Sequence, residues 1–497
     1  MNNSKPEPVC RLLATALMLA CAPLFAGDID PVLRTATGDK PIDVLIAFDG
    51  AQRSSLTPLR ADADYLQRRA VLVEALRARA EHDQSGVQAW LDARGIPWRS
   101  YWISNVIAAS LDRAQIEELA AREDIRRIAA DTPSRMRTLP EASRPLMPDT
   151  ASLPWGLETI HAPQVWALGV NGQGVVLAGQ DTGYQWDHPA LKTAYRGWNG
   201  AVADHDYNWH DAVHEYEPWC GADSSEPCDD DNHGTHTMGT MVGDDGAGTT
   251  VGVAPGARWM GCRNMRAGYG TPSTYIECMQ WLLAPTDGDD LNPRPDLAPD
   301  VISNSWGCVY EEGCITGEEV HAAVDNVVAG GIFFVAAAGN DGWGCFSIGD
   351  PPATYSASFV VGATDSGDAL AYFSSRGPVS GVDRTLPDIV APGVWIRSSV
   401  PMNGYGSMDG TSMATPHVAG VAALMMSVNP ALKGDPARVA ELLRASAERN
   451  GITDPINSGC GGLTMADWPN HQAGHGRLDA YRAVILADTL FADDFDG

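Results

Sequence analysis

The sequence predicts an α/β fold: a doubly wound, mostly parallel sheet with helices on both faces, preceded by a small ferredoxin-like α+β unit. From Trp155 onward, continuous apolar runs end in small or polar residues, at Gly174–Gln180, Val301–Asn304, Ile332–Ala338 and Phe359–Gly362. Apolar runs without alternation mark strands buried on both faces, as in parallel sheets, and the segments between them are long enough for crossover helices. Ahead of them, the order strand, helix, strands, helix, strand is that of a ferredoxin-like unit.

Met1 to Ala26 carries Lys5 and Arg11, then the apolar run Leu12–Ala20, and ends in small residues before Gly27-Asp28. That is the pattern of a secretory signal, with an apolar core too short to span a bilayer. Cleavage is expected near Ala26, with lipid attachment at Cys21 as the alternative. The small unit occupies 27–137. Its first strand is Ile42–Phe48. A helix comes next, over about Asp62 to Leu91, on the spacing of Leu66, Val73, Leu76, Ala80 and Val87. Arg99 to Leu111 reads as one or two strands. Asp112 with Gln115 is a capping-box variant that starts a second helix, and Ile125–Ala129 is the last strand. A unit of this size behind a signal is either an independent binding domain or a segment that templates and then blocks the large domain after it.

The stretch from Asp131 to Pro148, rich in proline and arginine, reads as exposed and cuttable. Residues 138–154 form the processing linker, 155–489 the large domain, and 490–497 a short acidic tail expected to fray.

The chain has 497 residues with 34 basic against 63 acidic side chains, a formal charge of -29. Such a surface repels nucleic acid and anionic membranes, and no later apolar stretch is long enough for a membrane anchor. Ten cysteines are present, of which Cys10 and Cys21 leave with the signal. An even remainder in an exported chain reads as disulfides. Short separations suggest Cys220 with Cys228, Cys262 with Cys278 and Cys308 with Cys314, leaving Cys345 with Cys460. The expected location is extracellular, or periplasmic or on the outer surface if the host has two membranes.

Chemistry concentrates where buried strands and helices end. Ser412 lies in Gly410-Thr-Ser-Met-Ala-Thr-Pro-His417, ahead of the small apolar run Val418–Met426, so it stands where a tight turn enters a buried helix. Unpaired amides there suit a developing oxyanion, although a serine could instead simply cap the helix. A serine hydroxyl needs a base and something to fix the base's tautomer. His233, in Asp231-Asn-His-Gly-Thr-His236, is the candidate base; His236 beside it could pair with it on a metal, but no third ligand is marked. Asp181, directly after a buried strand, must be held by partners or be costly, and it also suits a turn. Asn340 comes after Gly339 at another strand end and can donate to an oxyanion, or serve a left-handed turn. One shared explanation is better than four separate ones.

With Asp181-Thr-Gly183, His233-Gly-Thr-His236 and Gly410-Thr-Ser-Met-Ala-Thr-Pro-His417 in the order Asp, His, Ser, the chain from Trp155 to Val484 resembles the subtilisin-like serine proteases, the subtilases. Tyr195-Arg-Gly-Trp-Asn199, Asn304-Ser-Trp-Gly307 and Ile396-Arg-Ser-Ser-Val-Pro401 resemble the bacillopeptidase F branch. The resemblance implies a serine endopeptidase acting on protein or peptide substrates. In it Asp181 orients the base His233, Ser412 is the nucleophile, and the Asn340 side chain with the Ser412 amide forms the oxyanion hole, leaving His236 structural. Ser305, Trp306 and Gly307 form one wall of the pocket for the residue before the cut, and Ala337, Ala338 and Gly339 the other. It also implies that 27–137 is a propeptide, chaperone and inhibitor of its own enzyme, removed by autocleavage between Arg135 and Trp155. A monomer is expected.

No cofactor is needed for such catalysis, and the metal content is open. Ala190 replaces an acid that many subtilisins use for calcium. The acidic runs Asp204 to Asp211 and Asp229 to Asp231 are candidates for structural calcium, against the plainer reading of solvated loops. Trp306 is bulky for its wall, and Asp341 at the rim favours a basic residue, so a large apolar and a basic substrate side chain both remain open. Two alternatives to a peptidase are a catalytically silent fold used for binding, disfavoured because all four chemical positions are filled, and a triad hydrolase acting mainly on esters. Casein against a small ester distinguishes the latter.

Overall fold

The computed structural model describes residues 27–35, 40–49, 64–136, 153–309, 318–456 and 459–495. The expected signal, residues 1–26, and most of the processing linker lie outside them.

The large domain is built on a seven-stranded sheet. Its order across the sheet is Ile389–Pro392, Phe359–Thr364, Phe333–Ala337, Val301–Asn304, Val176–Asp181, Arg258–Arg263 and Trp209–Asp211. Every neighbouring pair is parallel. The four strands legible in the sequence form its middle, and three are buried at every residue. One face is covered by the helix Thr411–Val428, which packs on His233–Val242 and Ala480–Phe495. Pro272–Leu283 and Glu319–Ala329 cover the other face. The last helix runs to Phe495, so most of the expected frayed tail is helical.

The small unit places Ile42–Phe48 between Val106–Leu111 and Ile125–Ala130, antiparallel to both, with Trp98–Tyr101 outside Val106–Leu111. A fifth strand, Asp28–Ile29, adds in parallel to Ile125–Ala130. The long helix Tyr65–Asp92 and the short Arg113–Ala120 make the crossovers. Asp112 accepts from the Gln115 amide at 2.9 Å while the Gln115 side chain accepts from the Asp112 amide at 2.9 Å, the reciprocal cap read from the sequence.

The small unit is seated on the two helices Pro272–Leu283 and Glu319–Ala329. Tyr101 donates to Glu277 Oε2 at 2.8 Å, Ser104 to the Glu319 carbonyl at 2.6 Å, and Asn326 to the Ile103 carbonyl at 2.7 Å. The buried Arg69 donates to the Gly330 carbonyl at 2.7 Å. Asp131 accepts from the Ser273 amide at 2.9 Å in the first turn of Pro272–Leu283, where the helix dipole favours a negative charge. Of the stretch expected as exposed linker from Asp131 onward, residues 131–136 are described: Asp131 is 8% and Met136 7% exposed, while Pro133 and Arg135 between them are exposed. A polar, proline-bearing stretch looks like linker in sequence, but here its polar groups find partners on another unit.

Disulfides join Cys220 to Cys228, Cys262 to Cys278 and Cys345 to Cys460. Cys308 is also disulfide-bonded, and its expected partner, Cys314, lies outside the described residues. The Cys345–Cys460 bridge spans 115 residues. Replacing both of its cysteines by serine is expected to lower stability by about 2–5 kcal/mol, because so long a loop gains much freedom in the unfolded chain. Denaturant unfolding of the two forms measures the difference.

Candidate active site

The strand Val176–Asp181 carries Asp181 to the carboxyl edge of the sheet, where it is 2% exposed. The chain then turns sharply at Gly183, which has φ +107°. A Cβ there would stand 1.7 Å from the Cys228 carbonyl oxygen, so only glycine fits. Asp181 Oδ1 accepts from the Thr182 amide at 2.7 Å, and Oδ2 from Thr237 Oγ1 at 3.2 Å. The same Oδ1 lies 2.7 Å from His233 Nδ1, at the first residue of the helix His233–Val242. A carboxylate accepts only, so Nδ1 carries the proton and Nε2 is left as the basic nitrogen. Burial pushes the His233 pKa down, but Asp181, through its charge and hydrogen bond, with Asp231 and Asp229 beyond, outweighs it and raises the imidazole above its ordinary value.

The loop that delivers His233 is held by Asp229. Its Oδ1 accepts from Thr182 Oγ1 at 2.9 Å and from the Asn232 amide at 3.0 Å, and its Oδ2 from the Thr235 amide at 2.9 Å. Asp230 pairs with the buried Arg263 at 2.5 Å, and Asp211 with the same guanidinium at 3.2 Å. Of the acids in the two runs, Asp211 and Asp229 are buried and, with Asp230, belong to the internal scaffold rather than to a solvated loop, whereas Asp204 and Asp206 are exposed. His236 is structural: its Nε2 meets the Ile396 carbonyl at 2.8 Å, and burial pushes its pKa down to about 3.

Ser412 is the second residue of Thr411–Val428; the cap position belongs to Gly410, so helix capping does not account for the serine. Its hydroxyl donates to the Ser305 carbonyl at 3.1 Å, and Ser305 returns a bond to the Ser412 carbonyl at 3.0 Å. In this resting arrangement Ser412 is bonded to Ser305 rather than to His233, on the neighbouring helix. Asn340 Oδ1 accepts from both the amide and the hydroxyl of Thr411, each at 3.0 Å. The left-handed backbone at this strand end belongs to Gly339, at φ +101°, so the turn does not explain the asparagine.

Ser412 and Asn340 line one pocket together with both expected walls. Trp306 contributes to it, but its indole stacks on Tyr275 with centroids 4.0 Å apart and is 3% exposed, so little of its bulk meets the pocket. Asp341 and Asp350 both line the pocket. Met136, from the small unit, reaches it too. Tyr269–Gly270 is the middle strand of three, antiparallel to Met265–Arg266 on one side and to Ser134–Arg135 on the other, and the Met136 amide donates to the Gly268 carbonyl at 2.7 Å.

The sequence reading missed Asp229, Thr411, Asp350 and the docked strand. Thr411 was legible as part of the serine motif, whereas Asp229 looked like any acid in an acidic run. Among the described residues, one grouping has the spacing of a metal site: Glu217, Cys220 and Asp230. It does not fit an ion, since Cys220 is oxidised to Cys228 and Asp230 is engaged by Arg263.

A parallel α/β sheet whose strand ends gather an aspartate–histidine pair and a pocket containing a helix-start serine defines a serine-hydrolase class of protein. The chain belongs to the subtilase family, a family of serine-type endopeptidases, whose family model matches residues 172–472. It is 37% identical over 441 residues to Bacillopeptidase F of Bacillus subtilis (strain 168), covering 84% of this chain but 29% of that protein. It is 32% identical over 294 residues to the Major intracellular serine protease of the same organism, covering 59% of this chain and 81% of that one. Subtilisin E, also from that organism, is 31% identical over 328 residues, covering 66% and 71%.

Proposed function

We propose that this chain is an exported serine endopeptidase made as a self-blocked zymogen. In the reaction Ser412 turns about its Cα–Cβ bond, leaving the Ser305 carbonyl, and gives its proton to His233 Nε2 as Oγ attacks the peptide carbonyl carbon. The Asn340 side-chain amide and the Ser412 backbone amide donate to the oxyanion. The C–N bond breaks, His233 returns the proton to the leaving amine, and the acyl group stays on Ser412. Water then repeats the sequence in the same roles and frees the acid. Asp181 holds Nδ1 protonated throughout and balances the imidazolium.

The observation that carries the reading is the His233–Asp181 bond of 2.7 Å beside a pocket lined by Ser412 and Asn340, in a chain of the subtilase family. The docked strand supports the zymogen. Ser134–Met136 holds the edge of Tyr269–Gly270, which an extended substrate needs for pairing. Removal of residues 27–137 opens it. Export is supported by the residue pattern of 1–26 and by the disulfides, which persist in oxidising compartments. Among the described residues no helix is long and apolar enough to cross a membrane.

The test is labelling of the processed protein with a fluorophosphonate and identification of the modified peptide. Modification at Ser412, lost in His233→Ala, is expected. Modification at another residue, or undiminished labelling in that variant, sinks the assignment.

A further inference from the structure

The pocket in front of Ser412 is more acidic than its sequence motifs announce. Two of its lining residues are carboxylates, Asp341 and Asp350, and no lysine, arginine or histidine is among the described residues that line it. Glycines bring both acids close to the walls. A Cβ added to Gly339 would lie 3.5 Å from Asp341 Oδ2, and one added to Gly307 would lie 3.4 Å from Asp350 Cβ and 3.9 Å from its Oδ2. Neither acid is buried: Asp341 is exposed and Asp350 half-buried. A guanidinium or ammonium entering a pocket lined by two carboxylates offers charge-assisted hydrogen bonds and opposite charge, which an apolar side chain does not.

A second observation is independent of the first. The strand Ser134–Arg135 and the Met136 amide fix a register against Tyr269–Gly270 and Gly268. A substrate paired in that register has its Met136-equivalent residue already at the pocket beside Ser412. Met136 is part of the pocket's lining rather than its occupant, and one strand step, about 3.3 Å, brings the next residue forward with its side chain turned away from Met136's face. In this chain's sequence, the residue after Met136 is Arg137.

We propose that the pocket selects arginine or lysine as the residue before the scissile bond, with Asp350 as its main charge partner and Asp341 as a second at the rim. The proposal rests on the endopeptidase reading above. It names Arg137–Thr138 as the bond cut in self-processing. It also fits the formal charge of -29, which draws cationic segments toward the protein at low salt.

The experiment compares kcat/KM of the processed enzyme on peptide amides that differ only in the residue before the cut: arginine, lysine, phenylalanine or leucine. Arginine is expected to exceed phenylalanine by about tenfold or more, and Asp350→Asn to shrink that ratio by about tenfold, with a smaller change for Asp341→Asn. Sequencing of the mature N terminus is expected to begin at Thr138. A wild-type preference for phenylalanine or leucine overturns the proposal and leaves the endopeptidase reading standing; this ranking needs no variant to fold. An arginine-to-phenylalanine ratio unchanged in Asp350→Asn removes that residue's role. Hydrolysis of none of the four amides, by protein that also leaves casein intact, overturns the endopeptidase reading itself.

Discussion

Replacing Ser412 by alanine is expected to give a folded chain that hydrolyses no peptide and keeps residues 27–137 attached. In subtilisin the loss of this nucleophile costs about 10⁶ in turnover. The fold should survive because the serine caps nothing, Gly410 holding that position, and its hydroxyl makes one bond, to the Ser305 carbonyl. Losing that bond costs about 1 kcal/mol. Turnover of a peptide amide and the band pattern of the purified protein measure the two outcomes together. Substantial peptide hydrolysis by Ser412→Ala, or conversion of that variant to the mature form at the wild-type rate, would refute the assignment. Adding His233→Ala to it should change turnover little further, since serine and base act as a unit.

Asp181→Asn is expected to lower turnover by about 10⁴ and to move the acid limb of the pH profile. His233 must be neutral to accept the proton. Burial disfavours its charge, and the Asp181 carboxylate more than restores it, so in the wild type the imidazole stays protonated to a higher pH than free histidine. The acid limb of kcat/KM therefore lies above the ordinary histidine value of about 6.5. With the carboxylate gone the burial remains, and the limb shifts to lower pH while the plateau falls. The variant should fold, because an asparagine oxygen still accepts from the Thr182 amide or from Thr237. A plateau lowered without movement of the limb would mean that the aspartate acts on orientation alone.

Much of this was legible in the chain. The four runs read as buried strands form the middle of the seven-stranded sheet, because a strand covered on both faces must be apolar at every residue, and that is visible locally. The outer strands Arg258–Arg263, Trp209–Asp211 and Ile389–Pro392 were not read. The first two bear charged ends that compete with the apolar signal, and the third is short and ends in proline. The reciprocal cap at Asp112 was readable because it lies within four residues. Asp229 was not, because nothing in an acidic run says which carboxylate will be consumed by Thr182, Asn232 and Thr235.

Local pattern alone nominated the side chains for the chemistry, placed each at the end of a strand or the start of a helix, and picked out Cys220 with Cys228 and Cys262 with Cys278 as near enough to pair. Composition, short-range periodicity and motif spacing belong to short stretches of chain, and they survive without coordinates. It took the folded molecule to bury Asp131 and Met136 against another unit, to spend the bulk of Trp306 on Tyr275, and to bring Asp350 to the pocket beside Asp341. Those outcomes depend on surfaces far apart in the chain meeting in one register. A polar or aromatic side chain takes whichever partner that meeting supplies, so its own neighbours in the chain do not foretell it.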